Sequence, residues 1–192
     1  MTSRLLCSLV YLLTALAVGA ANGKECDGVT FSDQIQSDGA TLMLNGLGLR
    51  QATFLKVDVY VAGLYVAKTS TDAGEILQSN TPKEIILHFV RDVDSSELSD
   101  GWDEGFKNNA GDKLVSLEQR IDAFKALMVD IKTGQRLRLA HVPGTGVRVE
   151  IDPTLKGTIE GDDFARALFS IWLGPNPPND DLKAGLLGGA CG

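Results

Sequence analysis

Histidine is scarce in this sequence, and the glycine motifs that bind nucleotides are absent. Only two histidines occur in 192 residues, His88 inside an apolar run and His141 close to Pro143. The chain therefore has no His-rich metal motif and no spacing typical of a Ser-His-Asp site. Gly46-Leu47-Gly48 lacks the third glycine of a dinucleotide loop, and no GK[ST] tripeptide is present. We expect both histidines to be structural, and we predict neither a metal nor a cofactor.

Positive charge is not concentrated anywhere along the chain. Lysine and arginine total 18 against 25 acidic residues, which gives a net charge of -7, and no Lys/Arg-rich run occurs. Nucleic acids and anionic membrane surfaces attract proteins through clustered cations, so we expect no nucleic-acid partner. The pairs Asp162-Asp163 and Asp180-Asp181 come at the start of predicted helices, where carboxylates interact favourably with the helix dipole. We interpret them as helix-terminal residues rather than as an acid/base pair.

Long hydrophobic runs are also absent, apart from one at the N-terminus. Residues 5–18 are almost wholly apolar, with Arg4 before them and the small residues Gly19, Ala20 and Ala21 after them. This order is typical of a secretory signal, and the run is shorter than the ~20 residues that a membrane-spanning helix needs. We predict a signal peptide over residues 1–21, a single domain over residues 22–192 and no retained membrane anchor. The protein would then be exported, to the periplasm or to the medium.

The cysteine count becomes even if that segment is removed. Of the three cysteines, Cys7 lies in the predicted signal, whereas Cys26 and Cys191 lie near the two ends of the predicted domain. Exported proteins meet an oxidising compartment in which paired cysteines form disulfides. We predict a Cys26–Cys191 disulfide; the alternative is two unrelated thiols at the chain ends.

Short apolar or alternating segments predict a series of β-strands. The pair Asn45-Gly46 is a favoured type I′ turn and predicts a hairpin within residues 41–50. A second hairpin is predicted across residues 143–145. The predicted strands outside the first hairpin are residues 29–31, 53–67, 85–90, 135–142, 146–151 and 155–159.

Helical periodicity appears in four other segments. Leu98, Trp102 and Phe106 share one face of an amphipathic helix. Further helices are predicted over residues 112–134, over residues 162–173 and, with Asn179 as N-cap, over residues 180–187. The order of strands and helices predicts an α+β fold with a largely antiparallel sheet.

One face of the predicted long strand combines polar and apolar side chains. Lys56, Asp58 and Tyr60 alternate on it with Phe54 and Ala62. The opposite face is aliphatic, with Leu55, Val57, Val59 and Val61.

Arg50 comes just before this strand. A guanidinium, a phenol and apolar neighbours could hold an amphiphilic acid through an Arg–carboxylate fork and a pocket for its tail. The alternative is that Lys56 and Asp58 form a solvated pair.

Three segments of the chain resemble the chalcone isomerase-like family, specifically its exported bacterial members. They are LNGLGLRQATFLKVDVYVAGLYVAK at residues 44–68, LHFVRDV at residues 87–93 and FARALFSIWLGPNPPNDDLKAGLLG at residues 164–188. The resemblance implies an open-faced β-sandwich, in which helices cover one side of a large antiparallel sheet and a few short strands cover the other.

The resemblance also assigns roles to individual residues. In plant chalcone isomerases an arginine before the long strand stabilises the substrate oxyanion, and Arg50 matches it. Tyr60 lies about where a hydroxyl residue of the strand is expected. The Tyr and Asn expected on a helix are missing from the predicted second long helix, which has Ser116 and Ala123 near those positions. Ile171 stands where the C-terminal helix would carry a Thr.

Two functions of different classes follow from the resemblance. Some family members bind fatty acids through an Arg and a Tyr, which favours a non-catalytic binder of a fatty-acid-like or other apolar carboxylate. Arg50, Tyr60 and Lys56 are then the ligand-binding residues. The possible pocket walls are Phe54, Phe124 and Trp172.

The alternative is an isomerase of the intramolecular-lyase type, with Arg50 as oxyanion stabiliser and Tyr60 or Lys56 in proton transfer. A third hypothesis is an exported structural or stress protein without a ligand. A closed apolar cleft with Arg50 salt-bridged to Asp58 would support it.

Overall fold

The computed structural model describes residues 23–191. The predicted signal peptide lies outside the described residues. Neighbouring strands pair antiparallel throughout, in a two-stranded sheet β1-β2 and a seven-stranded sheet in the order β3-β4-β5-β6-β7-β8-β9. The strands are β1 (Gly23–Cys26), β2 (Val29–Ser32), β3 (Gln34–Ser37), β4 (Ala40–Ala52), β5 (Val57–Val66), β6 (Lys83–Phe89), β7 (Arg136–Val142), β8 (Gly146–Ile151) and β9 (Thr154–Glu160).

Helices cover one face of the large sheet, and the small sheet packs against the other. The helices are α1 (Ala73–Gln78), α2 (Ser95–Asn109), α3 (Leu114–Lys125), α4 (Asp162–Leu173) and α5 (Asp180–Leu186). Side chains of β5 alternate between two cores: Leu64 packs with the helices, whereas Val61 and Tyr65 pack with Phe31 of β2. This arrangement confirms the α+β prediction and the open-faced sandwich.

The predicted hairpin at Asn45-Gly46 is wrong, because β4 runs straight through this pair. Asn45 is the extra residue of a β-bulge, and its Nδ2 donates to the carbonyl oxygen of Leu186 in α5 at 2.8 Å. A Cβ on Gly46 would lie 2.1 Å from the carbonyl oxygen of Gly185. The two residues that resembled a turn therefore allow α5 to pack closely on β4.

The true turn of the β4–β5 hairpin lies at residues 53–56, which were predicted as strand. Thr53 and Lys56 have φ angles of 61° and 52°, and the amide of Lys56 donates to the carbonyl oxygen of Thr53 at 3.2 Å. This left-handed backbone cannot continue a strand. β5 accordingly begins at Val57.

The helix predictions hold except at the end of α3. Leu98, Trp102 and Phe106 are buried on one face of α2, as predicted. The helix predicted to reach residue 134 ends at Lys125. Beyond it, Ile131 is buried by a backbone bridge to Val93, with N–O distances of 2.9 Å in both directions. Ile131 therefore fits the apolar spacing of the helix, although it lies in an extended segment that pairs with Val93.

The predicted disulfide is present. Cys26 at the end of β1 bonds to Cys191, which follows α5, across a Cα–Cα distance of 5.7 Å. Cys26 is buried with Phe31 in the core beneath the small sheet. Within residues 23–191, no helix is both long enough and apolar enough to cross a membrane.

Candidate functional site

A cavity of about 280 Å³ lies where β4, β5 and β6 meet α2, α4 and the loop before α5. This volume is close to the lower end of the ~300–1,000 Å³ that is typical of ligand sites. Exposed residues such as Glu104, Asn108 and Asn176 belong to its lining, so the cavity opens to the surface. Its apolar lining consists of Ala52, Val59, Leu87, Phe89, Val93, Leu98, Trp102, Ile171, Trp172, Pro177 and Pro178.

The β4–β5 ladder brings Arg50 and Tyr60 together at this cavity. Their Cα atoms are direct cross-strand partners, and directly opposed residues of an antiparallel pair point to the same face. The next pair is Gln51 with Asp58, so Val59 is the extra residue of a β-bulge. A bulge changes the direction of side chains, and Val59 lines the cavity beside Tyr60. Its predicted position on the aliphatic face is therefore wrong.

Arg50 is half-buried in the cavity wall and is held through one of its nitrogens. Its Nη1 donates to Oδ1 of Asn179 at 3.1 Å and also contacts the carbonyl oxygens of Gln51 and Pro178. Among the described residues, Nη2 and Nε of Arg50 have no acceptor, and no ion pair includes Arg50. The guanidinium therefore keeps donors for a ligand.

Asn179 holds Arg50 at the cavity instead of capping α5. It occupies the N-cap position, yet its side chain makes no capping hydrogen bond. Its Oδ1 accepts from the amide of Gln51 at 3.1 Å, and its Nδ2 donates to the carbonyl oxygen of the same residue at 3.1 Å. The sequence indicates a cap here and gives no sign of this link between the loop and β4.

Tyr60 presents a hydroxyl proton that has no acceptor among residues 23–191. The indole Nε1 of Trp172 donates to the Tyr60 hydroxyl oxygen at 3.0 Å. Because an indole can only donate, the phenol must be the acceptor, and its own proton stays available. Burial raises the pKa of Tyr60 above its ordinary value, and the Trp172 hydrogen bond and the charge of Arg50 oppose that shift. Tyr60 therefore remains a neutral hydrogen-bond donor.

Packed aromatic rings form the inner wall. The rings of Trp102 and Trp172 meet edge to face with centroids 5.8 Å apart, and Phe124 packs behind Trp102 at 5.1 Å. Tyr60 meets Phe89 in the same way at 5.6 Å. Edge-to-face contacts of this kind fix ring orientation. In the part of the chain that is described, the buried Nε1 of Trp102 has no hydrogen-bond partner.

The structure brings together only some of the residues predicted for the site. Arg50, Tyr60 and Trp172 line the cavity. Lys56 and Phe54 do not, because both lie in the exposed turn at residues 53–56. Phe124 supports the wall from behind without lining it.

The Arg50–Asp58 salt bridge that would support the structural or stress-protein hypothesis does not form. Oδ1 of Asp58 instead accepts from Nε2 of Gln51 at 2.7 Å. The carboxylate is therefore paired with an amide, and Arg50 faces the cavity without it.

Helix α2 lines the cavity together with α4, and α3 does not. Leu98, Gly101, Trp102 and Gly105 lie along α2, whereas no residue of α3 lines the cavity. Placing the polar helix positions near Ser116 and Ala123 was therefore wrong. The buried residues of α2 at the cavity are apolar, whereas its exposed lining residues other than Gly101 are polar. The spacing of Leu98 and Trp102 was the sequence signal for the buried face.

Sequence reasoning also missed the charged rim. Arg91 lies two residues after the end of β6, within the LHFVRDV segment, and lines the cavity with Glu97 and Glu104 of α2. The resemblance includes the LHFVRDV segment but assigns no role to Arg91, and no motif marks Glu97 or Glu104. The three residues are brought together only by the packing of α2 over the sheet.

Both histidines lie away from the cavity. Nε2 of His141 lies 2.9 Å from Oδ1 of Asp162, and Nδ1 of His88 accepts from Nε of Arg136 at 3.2 Å. Within residues 23–191, no group of three or more His, Cys, Asp or Glu side chains could hold a metal ion.

Comparisons with known proteins place the chain in a family. The crystal structure of a fatty-acid binding protein of Arabidopsis thaliana is similar, with a TM-score of 0.64 and 19% sequence identity over 83% of this chain and 92% of that one. At that identity the likeness shows the fold. No curated protein matches the sequence. The family profile described as chalcone isomerase-like matches residues 23–188, and the chain therefore belongs to the chalcone isomerase-like family.

Proposed function

We propose that this protein binds a fatty-acid-like or other apolar carboxylate ligand and does not catalyse a reaction on it. The observation that carries the proposal is the pairing of Arg50 with Tyr60 at an apolar cavity. Both side chains present donors that no described residue uses.

The pair suits a carboxylate head group. A guanidinium offers two parallel N–H donors to one carboxylate, and Nη2 and Nε of Arg50 are without acceptors in the described chain. The neutral Tyr60 hydroxyl adds a third donor. An apolar tail would lie against Leu87, Phe89 and Trp102, where its burial contributes about 0.8 kcal/mol per methylene.

The lining favours binding over catalysis. It contains no His, Cys, Ser, Thr or Lys, and its two carboxylates, Glu97 and Glu104, are exposed to solvent. The raised pKa of Tyr60 keeps this phenol protonated. Of the two polar helix groups expected of a chalcone isomerase, α2 places Asn108 in the cavity lining but no Tyr. The missing phenol would cost about 3 kcal/mol of transition-state stabilisation if it acted as an oxyanion donor.

The family and the similar structure agree with this proposal. The Arabidopsis protein is named for fatty-acid binding, and this chain combines a similar fold with a largely apolar cavity that could hold such a ligand. We propose further that the chain belongs to the exported bacterial branch, with a signal peptide at residues 1–21. The Cys26–Cys191 disulfide supports an oxidising compartment, periplasmic or extracellular.

Titration calorimetry with decanoate and decanol tests the proposal, with native mass spectrometry of the purified protein for retained lipid. We expect the protein to bind decanoate more tightly than decanol. Arg50→Gln should weaken decanoate binding by about tenfold or more, because a hydrogen bond to a charged group contributes about 1.5–3 kcal/mol. The preference over decanol should then disappear.

Arg166→Gln is a matched control, because Arg166 is exposed on α4 and does not line this cavity. Its decanoate affinity should equal that of the wild type. A wild-type protein that binds neither probe, or an Arg50→Gln variant with unchanged preference, would refute the proposal. Turnover of a chalcone that depends on Arg50 would instead establish an isomerase.

A further inference from the structure

The turn between β4 and β5 exposes two large apolar side chains next to each other. Phe54 is 92% exposed and Leu55 is 70% exposed. Single exposed apolar residues are common on protein surfaces. An adjacent aromatic and aliphatic pair at the end of a hairpin is a different feature, because neither side chain belongs to either core.

The backbone of the turn holds both side chains in solvent. Thr53 and Lys56, on either side of the pair, have φ angles of 61° and 52°, a region that residues other than glycine rarely adopt. The amide of Leu55 donates to Oγ1 of Thr53 at 3.3 Å, and the amide of Lys56 donates to the carbonyl oxygen of Thr53 at 3.2 Å. These bonds close the turn and leave Phe54 and Leu55 at its tip.

This tip lies at the rim of the cavity. Ala52, two residues before Phe54, lines the cavity, and so does Val59 on the returning strand. Both strands that lead to the tip therefore form part of the cavity wall. A surface that contacts Phe54 and Leu55 would lie next to the cavity opening.

The size and charge of the tip favour a lipid bilayer over a protein partner. Two such side chains can bury roughly 350 Å², well below the ~800 Å² per partner of a stable protein interface. Attachment to a bilayer surface scales with the apolar area that is buried and has no such minimum, so a small apolar tip gives weak, reversible binding. Residues 53–56 contain no carboxylate, and the flexible stem of Lys56 can keep its charge among the head groups.

We propose that Phe54 and Leu55 insert into the surface of a lipid bilayer, so that the cavity exchanges its apolar ligand directly with the membrane. The attachment depends on apolar insertion, not on charge, and high salt should leave it largely intact. The exchange step rests on the proposed function, whereas the membrane contact itself does not.

Tryptophan fluorescence tests the contact at the tip itself. The full chain carrying Phe54→Trp is mixed with phosphatidylcholine vesicles that contain brominated acyl chains, which quench indoles in the bilayer. The matched control is Val115→Trp, because Val115 is 83% exposed on α3 and does not line the cavity. The quenching of the native Trp102 and Trp172, both buried, is subtracted with wild-type protein.

We expect strong quenching at position 54 and little at position 115. Uptake of decanoate from vesicles should slow about tenfold when Phe54→Ser and Leu55→Ser are combined, while the affinity for dissolved decanoate stays unchanged. Val115→Ser should have no effect on either measurement. No quenching at position 54, or unchanged uptake by the double variant, would overturn the inference.

The two proposals fail in different ways. If the protein binds no decanoate but position 54 is quenched, the proposed function fails and the membrane contact stands. If decanoate binds but position 54 is not quenched, only the inference fails. If the wild-type protein self-associates at higher concentration and Phe54→Ser abolishes this, then Phe54 and Leu55 contact a second copy of the chain. That result would also overturn the inference.

Discussion

Arg50 and Tyr60 face each other across the β4–β5 ladder, one residue before the bulge that pairs Gln51 with Asp58. The bulge turns Val59 into the cavity and leaves the carboxylate of Asp58 bonded to Gln51. Had the carboxylate of Asp58 paired with Arg50, it would have neutralised the guanidinium and competed with an acidic ligand. The bulge therefore leaves the guanidinium of Arg50 without a neutralising bond to Asp58.

Asn179 should act as a positioning residue for Arg50. In Asn179→Ala the guanidinium loses its Oδ1 acceptor, and the backbone of Gln51 loses two bonds. We expect the free energy of unfolding to fall by about 1–2 kcal/mol. The preference for decanoate over decanol should also fall, which a purely structural residue would not cause.

Asn80→Ala is the control for this variant, because it removes a side-chain amide bond to Asp162 away from the cavity. Its ligand preference should match the wild type. An unchanged preference in Asn179→Ala would show that the contacts of Arg50 with the carbonyl oxygens of Gln51 and Pro178 suffice to hold it.

Replacing Gly101 or Gly105 of α2 by alanine should change the free energy of unfolding in opposite directions. A Cβ on Gly101 would meet nothing within 4 Å, whereas a Cβ on Gly105 would lie 2.8 Å from Cγ2 of Ile171 in α4. Gly101→Ala should stabilise α2 by up to ~1 kcal/mol through helix propensity. Gly105→Ala should lower the free energy of unfolding by about 1–2 kcal/mol, because α2 and α4 must separate. Urea denaturation of both variants measures the change in the free energy of unfolding. Equal changes in the two variants would contradict the close contact between Gly105 and Ile171.

A larger side chain at Gly101 should block the cavity without weakening the fold. Gly101 lines the cavity and has open space beside it, so Gly101→Leu places its side chain where a ligand tail would lie. We expect decanoate affinity to fall by about tenfold or more while the melting temperature stays at or above the wild-type value. An unchanged decanoate affinity in Gly101→Leu would show that the ligand binds elsewhere on the protein.

The sequence was sufficient to predict most of the fold, because burial periodicity is a local signal. Alternating apolar residues located β7, β8 and β9, and helical spacing located α2 and α4. Two of the failures, at Asn45-Gly46 and at Ile131, have the same cause. In both places a contact with a distant segment, α5 in the first case and Val93 in the second, replaced the local preference.

The candidate site was harder to predict than the fold. The resemblance to a family led to Arg50 and Tyr60, which are direct partners in the ladder. Lys56 was included because strict alternation was assumed along residues 53–67, and a left-handed turn interrupts that alternation. Arg91 and Asn179 could not be found, since only the tertiary packing places them beside Arg50 and Tyr60.

Lys83 should make stability rise with pH above neutrality. It is buried on β6, and desolvation lowers its pKa from 10.5 to about 8, with the charge of Arg166 acting in the same direction. Between these two values the unfolded chain binds more protons than the folded one, so the free energy of unfolding increases with pH. The increase due to Lys83 should be up to ~3 kcal/mol between pH 8 and pH 10.5.

Lys83→Met isolates this contribution. Denaturation curves of the wild type and the variant are compared from neutral pH to about pH 10, and the stability difference should move in favour of the wild type as pH rises. Burial raises the pKa values of Tyr60 and Tyr65, so these residues lower the stability of the fold only above the ordinary tyrosine pKa of about 10. Both tyrosines are present in the wild type and in Lys83→Met, so their effect cancels in the difference. Parallel pH profiles would show that Lys83 does not titrate in this range.

The disulfide should contribute more to stability than any other single feature discussed above, because it closes almost the whole described chain. Cys26 and Cys191 are 165 residues apart in sequence, and the chain-entropy model gives ~5 kcal/mol for a loop of that size. Cys26→Ala, Cys191→Ala and the double variant should each lose about 4–5 kcal/mol. The loss should not be additive, because any one of these changes removes the same bond. Urea denaturation of the three variants, and of the wild type with and without reductant, measures it. Additive losses would show that the two side chains stabilise the fold by packing instead of by their covalent link.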